Sequence, residues 1–167
     1  LTGLLLLTGC VSDGVSTDYA AVSQEIGPPL KGQSRIVVLQ EKRAGLSMAI
    51  CACDVKLDGA PLGKVQPGKY VYADRPAGGH ELLISELMFP GDTRREIAME
   101  SGRTHFFLIR ASARHNAVSG FAVMGGLAGA AVGSVVTSGE SNLGPADLFP
   151  LDEATARTTL AELQLAD

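Results

Sequence analysis

Residues 104–113 read THFFLIRASA, and the reading of this run decides the fold. Alternation by two puts Phe106, Leu108 and Arg110 on one face of a strand and His105, Phe107 and Ile109 on the other. A strand that is apolar on both faces needs cover on both, which places it inside a sheet rather than at an edge. Working outward, the pairs Asp58-Gly59, Pro67-Gly68, Gly78-Gly79, Pro90-Gly91 and Ser101-Gly102 punctuate the chain at intervals of about nine to twelve residues. Between them lie β-rich runs at 35–40 (RIVVLQ), 50–57 (ICACDVKL), 69–74 (KYVYAD), 81–89 (ELLISELMF) and 94–100 (RREIAME). Tyr70 and Tyr72 share a face with Asp74. No helical crossover separates these runs, so the expected fold is mainly β, a small antiparallel β-sandwich.

Residues 147–151 (DLFPL) read as a last short strand, which Pro150 confines to an edge or an end. A helix is expected next. Asp152 is a suitable N-cap, Glu153 favours the positive end of the helix dipole, and Ala156, Leu160 and Leu163 recur on one face. Of the 167 residues, 46% are hydrophobic and 19% charged, enough apolar material for one packed domain. A net charge of −4 argues against a nucleic-acid partner. The charge is uneven: residues 34–115 hold twelve Lys or Arg against nine Asp or Glu, whereas residues 138–167 hold one against six. Arg94, Arg95, Arg103, Arg110 and Arg114 therefore read either as solvated strand faces or as contacts to anionic headgroups or glycan carboxylates.

The N-terminus reads as an address. Residues 1–9 (LTGLLLLTG) form an apolar run too short to span a bilayer, without a preceding basic segment, and are expected to be the tail of a secretory signal truncated at its start. Leu7-Thr8-Gly9-Cys10 resembles the lipobox of bacterial lipoproteins. The resemblance implies that Cys10 is acylated, palmitate-type chains included, and becomes the first residue of the mature chain. Several acyl chains give stable anchoring where one does not. Val11 rather than Asp follows, which within that family leans towards the periplasmic face of the outer membrane. Residues 10–33 are expected to be anchor and flexible tether, with Tyr19 and Ile26 able to dock on the domain edge, and residues 34–167 the sandwich.

Val55-Lys56-Leu57-Asp58-Gly59, Leu62-Gly63, Pro67-Gly68-Lys69-Tyr70 and Pro76-Ala77-Gly78-Gly79-His80-Glu81-Leu82 together resemble the PEGA-like pattern of turns and strands. With the lipobox and the C-terminal helix, the chain is similar to bacterial lipoproteins carrying a domain of unknown function. The resemblance implies a β-sandwich and assigns no catalytic residue.

One insertion, at about residues 116–146, interrupts the pattern. Residues 117–137 (AVSGFAVMGGLAGAAVGSVVT) carry no charge, and Gly125, Gly129 and Gly133 recur every four residues, giving a helix one smooth association face. Three readings stand: a helix or hairpin packed on lipid or on a copy of itself, a glycine-rich loop folded over the sandwich, or local disorder. Cys51 and Cys53 share a strand face and are too poorly oriented for a mutual disulfide; they read as buried thiols, with an intersubunit disulfide or a metal site with His80 or His105 as alternatives. His80, His105 and His115 sit in no metal-binding frame and read as serving a turn, a strand face or a solvated end. Neither a nucleophile elbow nor a phosphate loop is present, so no enzymatic activity and no cofactor are expected. The expected function is that of a lipid-anchored, non-enzymatic envelope module whose insertion mediates association with membrane, an envelope partner or itself. The alternative is a module binding a small ligand or peptidoglycan fragment at the sandwich loops.

Overall fold

The computed structural model describes residues 18–42, 52–136 and 141–166. Among these the order is α1 (Tyr19–Ile26), β1 (Gln33–Leu39), β2 (Cys53–Leu57), β3 (Ala60–Val65), β4 (Lys69–Pro76), β5 (Gly78–Glu86), β6 (Thr93–Met99), β7 (Thr104–Ala111), α2 (Ala113–Val136), β8 (Ala146–Leu151), α3 (Glu153–Leu160) and β9 (Gln164–Leu165). The strands form two sheets, ordered β8-β7-β1-β4-β9 and β3-β2-β5-β6. The mainly β sandwich expected from the turn spacing is thus the observed class.

Apolar residues at every second position fill the space between the sheets: Ile36 and Val38, Phe107 and Ile109, and Leu148 from the larger sheet meet Val55 and Leu57, Leu82 and Ile84, and Ile97 and Met99 from the smaller. The opposite face of the larger sheet is apolar as well. Val37, Leu39, Tyr70, Phe106 and Leu108 are covered there by Tyr19 of α1, Ala156 and Leu160 of α3, and Leu163. The molecule therefore has three layers, and β7, apolar on both faces, lies inside its sheet between β8 and β1.

Several expectations are corrected. The larger sheet is mixed, because β1 runs parallel to β7, with Leu39 opposite Leu108, and β4 runs parallel to β9. Residues 18–33 are not a free tether. Asp18 caps α1 by accepting from the Ala20 amide (3.3 Å), and Tyr19 makes edge-on contacts with the rings of Tyr70 (5.5 Å) and Phe106 (6.0 Å). Arg35, buried beneath this helix, forms a two-pronged pair with Asp74 (2.6 and 2.8 Å) and donates to the Gly27 carbonyl (2.7 Å) at the end of α1.

A further strand, β3, occupies residues 60–65, outside the β-rich runs named from the sequence. It is an edge strand, which tolerates proline, and it carries a bulge opposite Val55/Lys56. Gly63, at φ 148°, lies so close to Val71 that a Cβ would sit 2.9 Å from its side chain. Gly78 and Gly79 open β5 rather than forming a turn, and β5 ends at Glu86 because residues 87–92 turn towards β6. Asp152 does cap α3, accepting from the Thr155 amide (2.9 Å), but the helix stops at Leu160 and Leu163 is buried beyond its end.

Candidate functional site

The insertion is a helical hairpin. Gly126 (φ 58°, ψ −142°) breaks α2 into two arms of roughly 13 and 10 residues, about 19 and 15 Å long at 1.5 Å per residue. In a straight helix Arg114 and Ser134 would stand about 30 Å apart; instead the Arg114 guanidinium donates to the Ser134 carbonyl (3.3 Å). By length and composition Ala113–Val135 would suffice to cross a membrane, but the reversal at Gly126 halves its reach.

The three glycines expected to form one association face part company. A Cβ on Gly129 would meet the Phe121 carbonyl oxygen at 2.0 Å, and one on Gly133 would meet the Phe121 ring and the Val118 backbone at 3.0 Å. Gly129 and Gly133 thus form the seam between the two arms, while Gly125 faces open space beside the turn. The small-residue stripe closes the hairpin on itself and is not a surface for another molecule.

What remains outside is apolar. Val123, Met124, Leu127, Val132 and Val135 are exposed, Met124 and Leu127 to more than four-fifths, and residues 116–139 carry no charge. A second element adds to this end. Leu87 and Met88, in the turn after β5, are 82% and 85% exposed, and Met88 adopts a left-handed backbone (φ 66°) that non-glycine residues seldom take. A groove of about 380 Å³ separates this turn from the hairpin, lined by Phe89, Val118, Ser119, Ala122 and Ala130 among others.

The base of the hairpin is built from polar groups. Ser112 caps the first arm: its hydroxyl accepts from the His115 amide (3.0 Å) and donates to the Gly144 carbonyl (2.8 Å). His115, buried, sets Nε2 3.1 Å from Glu86 and stacks on Phe89 at 5.5 Å. This corrects the expectation of a turn, strand-face or solvated role for His115. Arg114, also buried, donates to the Pro90 carbonyl (3.0 Å) besides Ser134, tying both arms to the turn after β5. The signal available in the sequence was Ser112 standing just ahead of the uncharged run as an N-cap.

The sandwich rim beside this base is closed by Thr93, whose hydroxyl bonds the Ala146 carbonyl (2.6 Å) and amide (3.2 Å), and by a bond from Arg95 to the Leu148 carbonyl. Gly144 packs so tightly there that a Cβ would overlap the Thr93 amide nitrogen.

The remaining candidates are structural in position. The His80 ring sets Nδ1 2.6 Å from the Asp58 carboxylate and Nε2 2.8 Å from the Pro76 carbonyl, two acceptors that favour the protonated ring. The bond to Asp58 is the largest influence raising the His80 pKa, and the reciprocal bond lowers that of Asp58. This pair clamps the Asp58-Gly59 hairpin turn, both of whose residues have positive φ. His105 accepts from the Glu100 amide (3.0 Å). Cys53 is buried between the sheets; Cys10 and Cys51 lie outside the described residues. Burial pushes the Tyr70 phenol well above its ordinary value, consistent with a packing role.

The arginines do not gather into one patch. Arg94 pairs with Glu81 (3.2 Å), Arg103 with Glu100 (3.2 Å), and Arg110 with Glu41 (3.5 Å) while lying over the Phe149 ring. Among the described residues no three His, Cys, Asp or Glu side chains come together as a metal-binding group.

Comparison with known proteins returns one family, described as "Protein of unknown function (DUF2846)", whose profile matches residues 30–122. That span runs from the strand pairings of β1 through β7 into the first arm of the hairpin. No curated protein matches the chain.

Proposed function

We propose that this chain, which belongs to the DUF2846 family of proteins of unknown function, is a lipid-anchored cell-envelope module without enzymatic activity that works by association through its apolar hairpin. The observation that carries the reading is the collection of exposed apolar side chains from two separate elements, α2 and the turn after β5, at one end of the sandwich. An exposed patch of this kind marks an interaction surface rather than a catalytic one. In this reading residues 7–10 are a lipobox, Cys10 carries the acyl chains, and the PEGA-like body is held on the periplasmic face of the outer membrane.

Mass spectrometry of the mature N-terminus together with envelope fractionation tests it. Acyl chains on Cys10, and release of the Cys10→Ser protein from the membrane fraction, are expected. An unmodified native protein found free in the soluble fraction would refute the anchor. Deleting residues 117–138 should change either membrane partition or the set of cross-linked partners; no change in both would remove the hairpin from the function.

A second reading is favoured by a groove of about 840 Å³ between α1, α3 and the start of β7, lined by Tyr19, Arg35, Arg103 and Arg157. It would seat an acidic peptidoglycan fragment. Each arginine already faces an acidic side chain, Asp74, Glu100 or Glu153, which leaves the groove close to charge-balanced. A sacculus pull-down that fails for Arg103→Glu but not for the hairpin deletion would favour this site over the hairpin.

A further inference from the structure

We propose that the occupant of the hairpin surface is lipid: the arms enter one leaflet only, the same leaflet that holds the acylated Cys10. The inference rests on the reading of Cys10 as the anchor and names the partner of that surface.

Length decides between crossing and half-entry. Arms of about 19 and 15 Å compare with a hydrocarbon core of about 30 Å, so the hairpin fills one leaflet and turns back. Packing decides whether it can hold its shape there. The seam made by Gly129, Gly133, Val118 and Phe121 depends on close van der Waals contact, which works in lipid, where no hydrophobic force drives helices together. With that seam used internally, Gly129 and Gly133 are not offered to a second copy. The outward residues Val123, Met124, Leu127, Val132 and Val135 come from both arms.

Leu87 and Met88 extend the apolar surface from the body beside the hairpin, and charge stops at the base. Arg114 and His115 are buried there beside a half-buried Glu86, and Arg110, Glu41 and Arg94 lie on the body side. The water boundary is thus drawn across the end of β7.

The anchor can reach the same plane. Tyr19 packs against Tyr70, which pairs with Leu39, itself level with Leu108 near the hairpin end of β7. From Leu108 to Ala111 is about 10 Å along the strand, and the nine residues from Cys10 to Tyr19 span up to about 30 Å. The reversal at Gly125–Gly126 leaves helix-end backbone groups open, which hydrocarbon penalises. The anchor compensates by confining the hairpin to the surface at a high effective concentration.

The chain contains no tryptophan, so one can be introduced as a depth probe. Leu127→Trp places it on the hairpin and Leu30→Trp, at a residue 75% exposed ahead of β1 at the opposite end, serves as control. The full-length protein is bound to vesicles of phosphatidylethanolamine and phosphatidylglycerol containing acyl-brominated lipid. Attachment is by its own acyl chains or, should mass spectrometry find Cys10 unmodified, by an N-terminal histidine tag on a nickel-chelating lipid. Several-fold quenching with a blue shift at Leu127→Trp, and none at Leu30→Trp, is expected. An unquenched Leu127→Trp on tethered protein overturns the proposal, as does a blue shift that instead follows protein concentration without lipid, the signature of a second copy. An unmodified Cys10 with a quenched hairpin would sink the anchor alone.

Discussion

At the scale of single residues, the His80–Asp58 pair makes stability depend on pH from both sides. His80 is raised above its ordinary 6.5, so its contribution is complete below that value and fades as pH rises through the higher folded value. Asp58 is lowered below its ordinary 3.8, so its contribution is present above that value and is lost as pH falls through the lower folded one. The clamp is therefore strongest between about pH 4 and 6.5. Urea midpoints measured against pH should decline on the alkaline side for the native chain, and His80→Gln should flatten that decline. Asp58 is nearly half exposed, so the effect is that of a screened surface pair, within about 1 kcal/mol. A larger effect is expected at Gly144. Its Cβ would overlap the Thr93 backbone, so Gly144→Ala should cost roughly 1–3 kcal/mol or more in a denaturant melt. The turn role of Asp58 was legible in the sequence because Asp-Gly is the residue pair that positive φ demands. The burial of His115 was not, since it depends on Glu86 and Phe89, some thirty residues away.

At the scale of elements, the hairpin shows what periodicity can and cannot say. Glycine at every fourth position suggested one helical face, but only Gly129 and Gly133 are closely packed, and the spacing could not say whether the neighbour is another molecule or the returning arm. Gly126 holds that answer through a backbone conformation invisible in the spacing. The glycines should accordingly separate under substitution. Gly125→Ala meets open space and should strengthen the first arm by up to about 1 kcal/mol. Gly129→Ala should push the arms apart. Amide exchange across residues 113–136 reads both: slower for the first, faster for the second. The elements missed from sequence were short or locally contradictory. Only eight residues long, α1 has a weak apolar stripe whose burial depends on the faces of Tyr70 and Phe106. In β3, Pro61 and Gly63 obey the rule for edge strands, which cannot be applied before the sheet order is known.

At the scale of the whole molecule, alternation and turn spacing suffice to give the sandwich, because each inward-facing run needs a partner layer. They do not give the parallel pairing of β1 with β7, which depends on a choice of neighbour across the length of the body. That pairing carries much of the architecture: the Ser34 hydroxyl donates to the Arg103 carbonyl 69 positions later, and the Arg35 amide donates to the same carbonyl. It also sets a timetable. A chain delivered N-terminus first presents β1 with one bare edge until the segment 104–111 arrives, so consolidation is late and depends on distant contacts. Versions halted at residue 101 should lack a protected core in exchange experiments and form intermolecular sheet, whereas the complete chain should not. Were the chain exported as proposed, lateness of this kind would suit its passage through a narrow pore, which a polypeptide makes unfolded.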